Sequence, residues 1–345
     1  MSQQVSLSDP GKTIGDCLRS VQSPSFVECH ARLNIFQRHF HFAVIFKGLR
    51  VTRQPLDRPP FLRLPHRGTD HRVSTVEKGF LNANHKNEIG PVTVPNRIVS
   101  TGHGTRMAAN RVASDALIAY HEARARGGTG LIITEAAMID EEGVYSESHL
   151  VVDTDKVIPS LTKLADALHA HGTKIFGQVF HLGLEQMNEL DGRRAAALGP
   201  SGGISERYHV SGRTLSLAKI RQLISKFGSA AARMKTAGFD GIEVAASHGY
   251  LIAQFMSPQI NQRTDPYGGS LENRMRFLME VLAEIRANVG PDMPVGVRIS
   301  GDELASDGLT PEEVLEICSF LEAEGAVDYL NITSGSSRQA GSAIH

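Results

Sequence analysis

Cysteine is scarce in this chain. The three among its 345 residues, Cys17, Cys29 and Cys318, are too scattered for a disulfide framework or a four-cysteine metal site. So few thiols suit a reducing cytosol, and a cytoplasmic location is expected. An excess of charge is also missing. With 36 Lys and Arg against 37 Asp and Glu the formal net charge is −1, which leaves no broad electrostatic footprint for nucleic acid or a membrane surface. The apolar run from Phe40 to Phe46 falls far short of the ~20 residues that span a bilayer. The start of the chain lacks the charged, apolar and small-residue regions of a signal peptide. No Gly-x-Gly-x-x-Gly turn follows any predicted strand, which weakens the case for a dinucleotide-binding doubly wound sheet.

Two regions of different character are present. Residues 1–88 are rich in His, Arg and Pro and hold no sustained helical or strand period. A segment such as Arg58-Pro-Pro-Phe-Leu-Arg-Leu-Pro-His-Arg cannot sustain a ladder, because proline removes donors and fixes φ. A disordered arm, a small domain of its own, or a start read in the wrong frame would each account for it. Composition favours a disordered or artefactual extension. Its histidines are too irregularly spaced to suggest a metal site.

From residue 89 onward, β-branched runs alternate with helix-period segments, the pattern of βαβ units and a parallel sheet. Strands are predicted at Arg97–Ser100, Leu131–Glu135, Lys174–Phe180, Gly241–Ala245, Val295–Ser300 and Tyr329–Ile332. Helices are predicted from the cap Ser114 through Ala123 with a stop at Gly127-Gly128, and from Pro159 to His171, Leu217 to about Ala237, Leu271 to Val289 and Pro311 to Glu324, with a long polar loop after the third strand. This order predicts an α/β fold: a (β/α)8 TIM barrel, incomplete, with about six of eight strands in 89–345.

Active sites of such barrels form at the C-terminal ends of the strands. Those positions hold Ser100, Thr101, Gly102 and His103; Ala136; Gln178 and His181; His248 and Tyr250; and Arg298. The set is rich in hydrogen-bond donors and poor in carboxylates, which suits an anionic, ring-shaped ligand better than a divalent metal. His169-Ala-His171 falls at a helix end, where histidines complement the dipole, and Glu141-Glu142 reads as a solvated loop.

Asn96-Arg97, Gln178-x-x-His181, His248-Gly-Tyr-Leu and the long run Asn261-Gln-Arg-Thr-Asp-Pro-Tyr-Gly-Gly-Ser-Leu-Glu-Asn-Arg274 resemble the old yellow enzyme family. Within it, the 2,4-dienoyl-CoA reductase and N-methyl-amine dehydrogenase branches are most similar. The long run is mostly architecture: Pro266 and Gly268-Gly269 suit tight turns, and Ser270 can cap a helix. The resemblance implies FMN as cofactor, with NADH or NADPH as reductant and a small-molecule substrate.

Residue by residue, the resemblance implies that Ser100, Thr101, Gly102 and His103 line the flavin and that Ala136 lets the ring approach. Gln178 would bond its pyrimidine edge. Arg298 would put a cation where negative charge gathers on reduction; pairing with Glu243 is the structural alternative. His181 and His248 would bind substrate. Tyr250 would be the proton donor, with His248 beside it. Family members that clamp a carbonyl carry a second donor where Ala245 stands.

The implied reaction is hydride transfer from NAD(P)H through flavin to an activated C=C. Oxidative demethylation of N-methylated amines is the rival, and an inactive remnant binding no flavin is the third reading. The chain ends soon after the sixth predicted strand, so the loops that hold the FMN phosphate, the cysteine cluster of an iron–sulfur centre and a nicotinamide-binding domain are not expected in it. Strands one and six should then expose unpaired edges, and a homo-oligomer or a complementing fragment is the expected remedy.

Overall fold

The computed structural model describes residues 44–46, 83, 85–143, 146–186, 197–205 and 207–336. Cys17 and Cys29, most of the N-terminal extension and the residues after 336 lie outside them.

Six parallel strands carry the fold: β4 (Val99–Ser100), β5 (Leu131–Ile133), β7 (Lys174–Phe180), β11 (Gly241–Ala246), β12 (Val295–Ser300) and β13 (Tyr329–Thr333), with a short β6 (Ala137–Met138) beside β7. Their spatial order is β4-β5-β7-β11-β12-β13, the same as their order in the chain. A doubly wound sheet reverses at a switch point, whereas a sequence-ordered parallel sheet is the arc of a barrel.

Among the described residues five long helices follow strands: α1 (Asp115–Arg126), α2 (Ile158–His169), α3 (Leu217–Thr236), α5 (Leu271–Val289) and α6 (Pro311–Ala323). Ser114, Ser216, Ser270 and Thr310 each accept the N–H of the residue three positions on. These side chains satisfy donors that a helix start leaves open. Thr310 and Glu313 complete a reciprocal capping box ahead of α6.

Alternation along the strands sorts side chains to two sides. Ile132, Ile175, Val179, Ile242, Val244, Val295, Val297, Ile299 and Leu330 belong to one apolar core with residues of all five long helices, such as Leu117, Leu164, Phe227, Phe277 and Ile317. Inside the barrel, Leu131, Ile133, Phe176 and Tyr329 pack against Ile89 and Val94. The last two come from a hairpin of β2 (Asn87–Ile89) and β3 (Val92–Val94), which plugs the N-terminal end. Glycine makes room in this layer. A Cβ on Gly241 would meet the Phe176 ring at 2.6 Å, and one on Gly296 would meet the Tyr329 ring at 2.1 Å.

Three features differ from the sequence expectation. Within the first 88 residues, β1 (Val44–Phe46) pairs antiparallel with β13. The outer edge of the sixth strand is therefore covered here, and its backbone groups find partners in an apolar run of the chain itself. The β2–β3 hairpin also begins inside the stretch assigned to the extension. Finally, the long loop after β7 builds its own small sheet, β8 (Ala197–Gly199), β10 (Ser211–Thr214) and β9 (Gly203–Ile204), in that spatial order.

Candidate functional site

Above the apolar plug the barrel interior turns polar. Register places Glu243 beside Gln178 on one side and Gly296 on the other, and Arg298 beside Ala245 and Asn331. Gln178 Nε2 donates to Glu243 Oε1 at 2.6 Å, while Asn331 Nδ2 (2.9 Å) and Tyr329 OH (3.2 Å) donate to Oε2. Burial pushes the Glu243 carboxyl upward; Arg298 and these three donors oppose it. Burial and the Glu243 carboxylate push the Tyr329 phenol well above its usual range.

Arg298 is not tied to Glu243 by a hydrogen bond. Its Nη1 donates to the carbonyl of Gly102 at 2.6 Å, and its Nε is buried without a partner. Burial lowers its pKa, while Glu243 and the Tyr250 phenol act to raise it. A guanidinium held this way keeps donor capacity that the described residues do not use.

Gly102 sits where the first-strand loop crosses this layer. A Cβ there would lie 2.7 Å from Gln178 Nε2 and 2.8 Å from the Thr134 carbonyl, so only glycine lets the three strands' ends close up. Thr101 is buried beside it.

The next layer toward the open end is apolar: Met138, Phe180 and Ala245 pack together, with Ala136 and Tyr250 against them. The Tyr250 ring lies edge-on to Phe180 at 5.3 Å and 6.3 Å from the imidazole of His248. Tyr250 is the N-cap of a short helix, α4 (Leu251–Met256). His248 adopts φ 59°, a conformation rare for a residue with a Cβ. Ser247 Oγ lies 2.8 Å from its Nδ1 and Thr333 Oγ1 3.3 Å from its Nε2, and its N–H donates to Ser300 Oγ at 3.2 Å. Hydroxyls from two strand ends thus fix this ring, and one from a third fixes its backbone.

Thr101, Gly102, Ala136, Gln178, His248, Tyr250 and Arg298 are linked by these contacts; three other anticipated residues are placed differently. Ser100 shares the register of Ile132, whose side chain faces the helices. His103 turns toward α1, with Nδ1 2.7 Å from the Thr101 carbonyl and Nε2 2.6 Å from Tyr120 OH. The ring of His181 is buried, its Nδ1 accepting the Gly183 N–H at 3.0 Å. Burial brings its pKa down to about 4.

Glu243, Asn331 and Tyr329 were missed as site members. The signal was present as polar residues at alternate positions of apolar strands, but only register shows that they converge. His169 and His171 meet Asp240 (2.7 Å) and Glu122 (3.3 Å), and Glu142 pairs with Lys219 at 2.5 Å. Among the described residues no group of three or more His, Cys, Asp or Glu could hold a metal ion. None of their helices is long and apolar enough to cross a membrane.

Residues 87–342 match the NADH:flavin oxidoreductase / NADH oxidase family. The chain is 41% identical over 250 residues to an N,N-dimethylglycine/sarcosine dehydrogenase of Chromohalobacter salexigens, covering 71% of this chain and 36% of that protein. An NADH oxidase of Thermoanaerobacter brockii is 40% identical over 259 residues, covering 74% and 39% respectively. Among solved structures, a 2-naphthoyl-CoA reductase in complex with 2-naphthoyl-CoA superposes with a TM-score of 0.72 at 33% identity, over 77% of this chain and 42% of that one. The chain thus spans well under half the length of each of these relatives.

Proposed function

From its membership of the NADH:flavin oxidoreductase / NADH oxidase family, we propose that this chain is the flavin-binding barrel of an FMN-dependent oxidoreductase that passes hydride from NADH or NADPH to an activated carbon–carbon double bond of enoate or dienoyl type. The carrying observation is Arg298, a buried guanidinium whose one hydrogen bond among the described residues goes to Gly102 and whose Nε has no partner. Such a group selects an anionic, planar ligand. The missing Cβ of Gly102 lets that backbone lie close against Gln178 and Thr134, beside the guanidinium.

FMN, when bound, supplies the hydride exchange between nicotinamide and substrate. Thr101, Gly102, Ala136, Gln178 and Arg298 are the residues that would hold it, with Gln178 offering an amide to the pyrimidine edge. Arg298 offers a cation to the region where reduction gathers negative charge. Phe180, Met138 and Ala245 keep water away from the reacting face. Tyr250, next to this apolar patch, holds the proton that the substrate carbon opposite hydride attack must receive. His248, fixed by Ser247 and Thr333, orients the substrate.

A second reading, oxidative demethylation of N-methylated amines, is favoured by one residue. Ala245 contributes a methyl group where a carbonyl clamp would need a donor, and an amine substrate needs no such clamp. The similarity to a dimethylglycine/sarcosine dehydrogenase points the same way.

The test is the visible spectrum of the purified chain after FMN is added and the sample desalted. Retained flavin absorbance is expected, with affinity reduced at least about tenfold in Arg298→Met, the loss of one charged hydrogen-bond partner. A folded but colourless wild type would instead mean that the chain is a remnant without flavin chemistry. Anaerobic mixing then separates the two reactions: an enone reoxidises pre-reduced protein, whereas an N-methylated amine bleaches the oxidised form.

A further inference from the structure

Glu243 lies at the centre of the interior polar layer, fully buried, and the proposed chemistry gives it no part. Its two carboxylate oxygens are engaged by three donors from two strands: Gln178 on β7, and Tyr329 and Asn331 on β13. None of these donors is charged. Among the described residues the one cation in the layer, Arg298, bonds to Gly102 instead. Among them the layer thus holds one carboxylate and one guanidinium with no hydrogen bond between the two. A contact pair would fold the guanidinium back onto the carboxylate and use up its donors. Here, neutral donors satisfy the acid and leave the base available.

We infer that Glu243 is a positioning residue with two separable effects on a flavin at this site. By taking Nε2 of Gln178 it fixes the rotation of that amide, and by its charge it offsets Arg298 and holds down the reduction potential of the cofactor. The first effect depends on reach and the second on charge. This inference rests on the flavin reading proposed above. Glu243 itself acts through Gln178 and Arg298.

Two variants separate the effects. Glu243→Gln keeps the shape but removes the charge. It should favour the reduced, more anionic cofactor about tenfold over the oxidised one, an upward shift of about 30 mV in the two-electron midpoint potential. Glu243→Asp keeps the charge and withdraws the oxygen from Gln178. It should weaken FMN binding about tenfold and leave the midpoint potential within about 10 mV of wild type, well under the tenfold step. Both quantities are read on reconstituted protein, by fluorescence titration with FMN and by anaerobic dithionite titration against a reference dye.

A Glu243→Gln protein with the wild-type potential overturns the inference. So does a Glu243→Asp protein whose potential moves while its affinity does not, and that arm stands even if Glu243→Gln fails to fold. A wild type that loses FMN on desalting overturns the flavin reading and this inference together. A yellow wild type with unresponsive variants overturns this inference alone.

Discussion

A phenol can serve as a proton donor at neutral pH only if it stays protonated and reaches the reacting carbon. Ring packing and a backbone cap hold Tyr250 in place for such a task. Phe180 meets it edge-on, and its backbone carbonyl accepts the N–H of Gln254 to start α4. Tyr250→Phe keeps the ring and the cap. The variant should therefore retain FMN as well as the wild type and be reduced by NAD(P)H at the same rate. Reoxidation by an activated alkene should slow by roughly 10²- to 10⁴-fold, the usual contribution of a general acid. Stopped-flow measurement of the two half-reactions checks this, and equal slowing of both would remove Tyr250 from the donor role.

The same scale shows what sequence reading missed. Gln178 stands out because a polar side chain in an apolar strand is costly, whereas the role of Arg298 comes from the family resemblance. The pairing considered for Arg298 was Glu243, a neighbour of the right charge. The observed partner is a carbonyl 196 residues away, which no local pattern reveals. Position in a loop points His103 at the flavin, but its direction depends on Tyr120, one turn into α1.

At the scale of elements, most of the fold was legible. The lengths of β7, β12 and α5 follow from apolar runs closed by Gly, Pro or a capping Ser, and all six parallel strands were anticipated. The exceptions are short pieces stabilised by tertiary contacts: the β2–β3 hairpin, the β8–β10 sheet and α4. These pieces lie outside the alternation of βα units, which is the pattern that marks the six strands.

The long motif ending at Arg274 behaves as a staple between elements. Asn261 Nδ2 donates to the carbonyls of Phe255 and Tyr267. Arg274 reaches Met256 O (2.7 Å), Gly269 O (2.9 Å) and Glu313 on α6 (2.8 Å). Arg274→Ala should cost about 3 kcal/mol, because it strands buried acceptors and one carboxylate. Arg274→Lys should recover less than half of that, since a point charge cannot serve three directions at once. Urea unfolding followed by circular dichroism reads both.

At the scale of the whole molecule, stability should depend on pH through two buried histidines. His121 and His181 are held near pKa values of about 3 and about 4, in each case chiefly by burial. Both ring nitrogens of His121 lack partners. The folded pKa is below the unfolded one of about 6.5. Between the two, the unfolded chain binds the extra proton, so stability falls as pH drops from about 6.5 toward 4. For His181 this loss is about 3 kcal/mol once the lower pKa is passed. Burial raises the carboxyls of Glu135 and Glu243, which works in the opposite sense, so the histidine contribution is best isolated by difference. His121→Phe should be close to wild type at pH 7.5 and gain on it steadily as pH falls to 5. A constant difference across that range would show that His121 does not titrate on unfolding.

The sheet is ordered as the chain is, so nearly every strand finds its neighbour within one βα unit, and most of the molecule can assemble from local pairings. The bond from Arg298 to Gly102 spans the barrel instead, and closing so long a loop is entropically slow. The ligand cradle should therefore be absent from the folding transition state and form only after it. FMN should then leave the refolding rate unchanged and slow unfolding in proportion to its occupancy, as stopped-flow unfolding with and without the cofactor would register. In a cell, this site would protect its own protein by delaying escape from the native state, without speeding arrival there.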